Sequence, residues 1–247
     1  MLRCAILNKM RLDKFLSNMG IISRKELKAY VKKGQVTVNG HVAQSSDMQI
    51  DEENDKVVFC GEEIAYSRYV YVMLNKPSGY LSATEDGKGK TVIDLLDDRR
   101  KKMELFPVGR LDKDTEGLLI LTNDGELCHK LLSPKYHVDK KYYVESELPL
   151  KESNIEDFEN GVFIDGGYKT LPAKLEITDD AGKSYVTIHE GKFHQIKQMF
   201  RAVGNGVVYL ERVEFGGLCL DSNLERGEWR FLTDEETELL KSKTNRE

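Results

Sequence analysis

The residues best suited by type and spacing to do chemistry lie in one stretch, FPVGRLDKDTEGLLILTNDG, residues 106–125. Pro107 and Gly109 open a turn, Arg110 and Asp112 stand two residues apart, and Asp114 and Glu116 come just before an apolar run. An ionised carboxylate there could act as a nucleophile or general base, and two of them could work on a glycosidic bond. Glycosidases need a fixed distance between their carboxyls, which spacing in sequence does not supply, so that reading is weak. Spacing alone favours a plainer one: a surface Arg110–Asp112 ion pair at a sheet edge, with Asp114 and Glu116 as ordinary loop acids. Other chemistries lack their residues. Cys4, Cys60, Cys128 and Cys219 stand far apart with no CxxC, which argues against a zinc ribbon, a thioredoxin-like site or a disulfide framework. There is no HExxH and no Cys/His cluster, so no metal is expected, and His194 is given a structural place with no acid–base role.

The elements around that stretch must position it. SRYVYVMLNKPSG opens a strand with Val70, Val72 and Leu74 alternating, closed by a Lys-Pro-Ser-Gly loop. LLILTNDG reads as a buried strand ending in a turn at Asp124-Gly125. KKYYVESEL, AKLEITD and SYVTIHE read as further strands, with Tyr142 and Tyr143 on opposite faces. Ile196, Met199, Phe200 and Val203 recur at helical spacing before Gly204, and Thr233 with Glu236 makes a capping box for a last helix. DDRRKKMEL, residues 97–105, reads as a charged, exposed helix end or loop. Strands and helices alternate without a βαβ period, which implies an α+β fold on a mainly antiparallel sheet.

The chain has 247 residues, 40% of them hydrophobic and 32% charged, a folded composition of a length that suits two domains. No apolar run reaches 18 residues, and the leading CAIL is too short for a secretory signal, so a cytoplasmic, non-membrane protein is expected. The net charge of −5 hides a segregation. Residues 9–33 carry eight basic and two acidic side chains, while residues 47–63 carry seven acidic and one basic. A basic face of this kind suits nucleic acid, although solvated basic helices account for charge alone equally well. Leu12, Phe15, Leu16 and Met19 mark a first helix stopped by Gly20. Ser23 and Glu26 cap a second helix, and valines flank Asn39-Gly40 in a hairpin.

RLDKFLSNMGIISRKELKAYVKKGQVTVNG resembles the S4 RNA-binding module. The resemblance implies structured RNA held through its phosphates by Arg11, Lys14, Arg24, Lys25, Lys28, Lys32 and Lys33, which suits A-form helices read by shape and backbone. Met10 is a common start in such proteins, leaving residues 1–9 as an early start or a lead. VGRLDKDTEGLLILTNDG is similar to the catalytic signature of the pseudouridine synthases of the RsuA branch, which isomerise a uridine without cofactor or metal. That resemblance makes Asp112 the nucleophile, attacking the uracil or the sugar carbon, or else assisting loss of a ribose proton to give a glycal. Arg110 matches the residue that fills the space left by the flipped nucleotide. Tyr142, in KKYYV, matches the ring that stacks on the target uracil. Lys197, in EGKFHQIKQMF, matches the basic partner that keeps the carboxylate ionised, where many members have an Arg able to make a two-pronged contact. Ile196 and Phe200 are expected to pack around the uracil pocket.

Together these readings give a small S4-like domain at residues 10–67 and a catalytic domain at residues 68–240. The expected activity is isomerisation of a 16S ribosomal RNA uridine, since GKFHQIKQMF, SPKYHVDKKYYV and AVGNGVVYLERVEFGG resemble the small-subunit branch. The same reaction on 23S rRNA and a non-catalytic rRNA-binding assembly factor are the competing readings. The expected partner is ribosomal RNA or an assembly intermediate, and a monomer is expected because no heptad repeat is present.

Overall fold

The computed structural model describes residues 9–52, 54–64, 69–180 and 182–245. Residues 1–8 of the expected lead at residues 1–9, the acid at Glu53 and the domain boundary at residues 67/68 lie outside them. The chain forms two compact units, Met1–Val70 with Leu96–Leu105, and Tyr71–Leu95 with Phe106–Glu247.

In the first unit, strand β1 (Lys9–Arg11) runs into helix α1 (Leu12–Asn18), and α2 (Arg24–Lys32) follows. The Ser23–Glu26 capping box is present in full. Strands β2 (Val36–Val38) and β3 (His41–Val42) meet at Asn39-Gly40, both with positive φ, as a tight hairpin requires. β4 (Gln49–Asp51) pairs with β1, while β5 (Val57–Phe59) and β6 (Glu62–Glu63) complete a sheet of order β3-β2-β5-β6. Leu12, Phe15, Leu16, Leu27, Val36 and Val57 are fully or almost fully buried in one core, which leaves the lysines of both helices on the outside. The acidic block is largely turn chemistry: Asp55 accepts bonds from Asn39 Nδ2 and the Asp51 amide, and Asn39 in turn accepts from the Lys56 amide.

Residues 97–105 are mostly exposed and charged, as the sequence predicts, but the segment is anchored by buried side chains. Helix α3 (Asp98–Lys101) is short, but Leu96, Met103 and Leu105 are each 3% exposed, and the segment packs with the first unit. A Cβ on Gly20 would lie 2.2 Å from the Arg99 carbonyl oxygen, so the approach needs glycine there.

The second unit is built on one large sheet. Its strands are β7 (Tyr71–Lys76), β8 (Phe106–Pro107), β9 (Glu116–Thr122), β10 (Lys140–Ser146), β13 (Lys174–Ile177), β14 (Lys183–Ile188), β15 (Val207–Phe215), β16 (Leu218–Cys219) and β17 (Trp229–Phe231). They run in the order β13-β14-β10-β15-β9-β7-β17, with β8 alongside β9 and β16 alongside β15. The small hairpin of β11 (Phe163–Ile164) and β12 (Tyr168–Lys169) stands apart. Helices α4 (Gly125–Leu132), α5 (Glu152–Asn160), α6 (Gln195–Ala202) and α7 (Asp234–Ser242) complete the unit, α5 packing against β13, α7 against β16 and α6 against β11. The pairings are antiparallel except β15 with β9. The α+β, mainly antiparallel architecture expected from the sequence is what the chain adopts.

All six residues of β7 are buried, because both faces of this inner strand are covered. One local expectation changes, at Asp124-Gly125. Asp124-Gly125 is a helix start, not a strand-ending turn: Asp124 Oδ1 accepts from the Leu127 amide, and the Tyr71 hydroxyl donates to Oδ2 at 2.6 Å.

Candidate active site

Asp112 lies in the loop between β8 and β9, and that loop is held from several sides. Ser82 is buried, and its Oγ both accepts from the Leu111 amide (3.0 Å) and donates to the Leu111 carbonyl (2.9 Å). The Gly79 amide donates to the Lys113 carbonyl, and the Ser78 amide to Glu116 Oε1. Beneath them, Lys76 is 0% exposed, and its Nζ donates to the carbonyls of Pro77 (3.1 Å), Lys113 (3.2 Å) and Thr115 (2.7 Å). Burial pulls this ammonium down to about 8, against the attraction of Glu116, Asp114 and Asp112. The Lys-Pro-Ser-Gly segment is therefore a clamp on the carboxylate loop, not merely a turn.

Asp112 is paired with two cationic or potentially cationic groups. Lys197 Nζ, from the first turn of α6, stands 3.1 Å from Asp112 Oδ2 and 2.6 Å from Asp114 Oδ1. That contact holds the Asp114 carboxyl below the usual carboxylate range. His194 Nε2 stands 3.6 Å from Asp112 Oδ1. His194 and Asp114, which by sequence alone are a structural histidine and a loop acid, both stand in the cluster. The Arg110–Asp112 surface pair is replaced: Asp112 faces α6, while Arg110 is exposed and lines the cleft.

An open cleft lies beside Asp112. Tyr142, Ile188, Ile196 and Leu210 supply apolar walls, and Arg110, Lys192, His194 and Gln195 supply polar ones. Tyr142 is buried on β10, whereas Tyr143 lies on the other face with its ring against Tyr185 and Tyr209. Phe200 is fully buried and packs edge-on against Phe158.

The strands that carry these groups are fixed at the β10–β15–β9 junction. A Cβ on Gly117, whose φ is +96°, would lie 2.3 Å from the Arg212 carbonyl oxygen, so only glycine lets β9 and β15 approach this closely. Arg212 is 2% exposed and donates from Nε to the Leu118 carbonyl. The Phe215 ring lies against both Arg212 (5.1 Å) and Lys140 (5.8 Å). Burial, with Arg212 nearby, brings Lys140 down to about 8. At the entry to β9, Glu116 takes the Tyr209 hydroxyl (2.9 Å) and Arg226 Nε (3.0 Å), so it too is structural wiring, not a free loop acid.

In the first unit, Lys14, Arg24, Lys25, Lys28, Lys32 and Lys33 are exposed. Arg11 is also exposed, but its guanidinium forks onto buried Asp13 at 3.1 and 2.7 Å.

A small module with exposed lysines and arginines on its two helices, and a separate α+β unit with a loop carboxylate at an open cleft, fit an RNA-modifying enzyme. The family model of RNA pseudouridylate synthases matches residues 70–202, and that of the S4 domain matches residues 10–57. The chain belongs to the RNA pseudouridylate synthase family, in its RsuA-type branch, and it is an RNA pseudouridine synthase. It is 53% identical over 234 residues to an uncharacterized RNA pseudouridine synthase, YtzG, of Bacillus subtilis, covering 94% of this chain and 98% of that one. It is 41% identical over 228 residues to ribosomal small subunit pseudouridine synthase A of Vibrio cholerae, covering 92% and 97%. A crystal structure of a pseudouridylate synthase, 38% identical, aligns with a TM-score of 0.66 over 94% of this chain and 99% of that one.

Proposed function

We propose that this enzyme converts a uridine of small-subunit ribosomal RNA to pseudouridine, with Asp112 as the nucleophile and no cofactor. The observation that carries the reading is Asp112 at the edge of the cleft, salt-bridged to Lys197 at 3.1 Å and facing a space walled by Tyr142 and Ile196. The small-subunit substrate draws support from the names of relatives such as the Vibrio cholerae protein. The reaction breaks the bond between uracil N1 and the ribose C1′, turns the base, and joins C5 to C1′. The C5 proton leaves and N1 gains one, so composition and oxidation state are unchanged. A carboxylate suffices to activate either the base or the sugar, and attack and glycal formation both fit the site. Lys197 holds Asp112 in place and keeps the negative charge where it is needed. Tyr142 stacks on the extruded uracil, and Arg110 occupies the gap left in the RNA. The S4-like unit, taken as residues 10–67 beside a catalytic domain of residues 68–240, grips structured RNA with Arg11, Lys14, Arg24, Lys25, Lys28, Lys32 and Lys33.

The test is pseudouridine mapping by carbodiimide labelling and primer extension in cells lacking the protein, then complemented with wild type or Asp112→Asn. The expected result is one site lost from small-subunit rRNA and restored by wild type alone. Restoration by Asp112→Asn would refute the nucleophile, and a site lost instead from large-subunit rRNA would move the substrate.

A further inference from the structure

Phe193 is the most exposed of the chain's described large apolar side chains, at 75%, and it adjoins the catalytic cluster. Its ring stacks on that of His194 at a centroid distance of 3.8 Å and an interplanar angle of 19°. His194 itself reaches Asp112 at 3.6 Å, so the phenyl ring lies two contacts from the carboxylate. Consecutive residues stack this way because His194 has a φ of +48°, a conformation that costs energy for any side chain but glycine.

The turn that holds this arrangement is wired from below by two buried glutamines. Gln195 is 4% exposed; its Oε1 accepts from the Lys192 amide (2.9 Å) and its Nε2 donates to Glu190 Oε1 (2.8 Å). Gln198 is 8% exposed; its Nε2 donates to the Phe193 carbonyl (2.7 Å) and its Oε1 accepts from the Asp165 amide (2.8 Å). Both amides are thus satisfied on their oxygen and nitrogen, which is how a polar side chain is buried without penalty. A backbone in a strained conformation, bonded by these glutamines at the Lys192 amide and the Phe193 carbonyl, presents an apolar ring to water beside a site whose substrate is single-stranded or extruded RNA. A rigid, exposed aromatic is what unstacked bases bind, because every base has a π-face.

We propose that Phe193 is a stacking platform for a nucleobase flanking the target uridine, with His194 as the layer beneath it. The inference rests on the RNA pseudouridine synthase reading and adds a base-binding subsite distinct from Tyr142 and the cleft. It makes Phe193 a positioning residue: it fixes the strand next to the extruded nucleotide and takes no part in bond making.

The experiment compares wild type, Phe193→Ala and Phe193→Trp in tritium release from [5-³H]uridine-labelled small- and large-subunit rRNA transcripts, with filter binding of the same transcripts. Wild type alone judges the substrate reading; the ratio of variants to wild type, on whichever transcript it modifies and in filter binding of both, judges the platform. Loss of one base stack predicts a rise in KM and Kd of roughly 5- to 100-fold for Phe193→Ala, with a smaller change in kcat. Phe193→Trp should stay within about threefold of wild type. Its added indole fluorescence, read as the difference from wild type with its single Trp229, should be quenched on RNA binding. Phe193→Ala within twofold of wild type in KM and Kd would overturn the proposal. So would Phe193→Trp as impaired as Phe193→Ala, or an added indole signal unmoved by saturating RNA.

Discussion

Replacing Lys76 by Met tests whether the carboxylate loop depends on a buried ammonium. The side chain is 0% exposed and its charged head bonds three carbonyls, two of them, at Lys113 and Thr115, in the loop that carries Asp112. Its fall from 10.5 to about 8 corresponds to about 3 kcal/mol held against the charged form. Methionine would relieve that cost but strip three carbonyls of a charged donor, at about 1.5–3 kcal/mol each. The net expectation at pH 7 is a loss of about 2–6 kcal/mol, measured by urea unfolding. Loss of the clamp should also let Asp112 drift, and a displacement of about 1 Å is enough to cost on the order of 100-fold in kcat. The pH dependence supplies a sharper check. Between about pH 8 and 10.5 the unfolded chain keeps a proton on this lysine that the folded chain has released. Stability attributable to Lys76 therefore rises with pH through that window. Wild type should gain up to about 3 kcal/mol on Lys76→Met there. Parallel stability curves for the two proteins, or a variant with wild-type kcat, would refute the reasoning.

Two further substitutions probe the frame and the RNA grip. Gly117→Ala sets a Cβ 2.3 Å from the Arg212 carbonyl oxygen at a φ of +96°. Strain of about 1–2 kcal/mol plus overpacking of about 1–3 kcal/mol should lower Tm by roughly 4–20 °C; an unchanged melting curve would mean that β9 and β15 part without cost. Reversing Lys25, Lys28 and Lys32 to Glu should leave Tm almost unchanged, because all three are exposed. It should weaken rRNA binding strongly and flatten the slope of log K against log salt by about 2–3. Equal affinity at low salt would remove α2 from the RNA-binding account.

What the sequence reveals about this protein follows from which interactions are local. The Ser23–Glu26 box, the Asn39-Gly40 hairpin and the period of α6 are each decided by residues within a few positions of one another, and all three form as their spacing predicts. Asp112, Tyr142 and Lys197 are conspicuous only through the family signature, because they come from three distant segments. Composition gives no reason to join them. The fold does, by pinning the β8–β9 loop against α6. The groups that escaped the sequence reading are those whose work is done across the chain. Lys76 reads as the end of a strand until its ammonium is traced to carbonyls nearly forty positions away. Glu116 and Asp114 read as surface acids until Arg226, Tyr209 and Lys197 are placed beside them. His194 reads as a stray histidine because no local rule predicts its positive φ, and that φ is what puts it over Phe193 and near Asp112. The loop that carries Asp112 is short, exposed at its tip and rich in acids, so it has little means of holding its own shape. A buried lysine, a serine that bonds both backbone groups of Leu111, and a salt bridge from α6 hold it from outside. This is why the Lys-Pro-Ser-Gly segment, an ordinary turn in the sequence, bears as directly on the chemistry as the signature that carries Asp112.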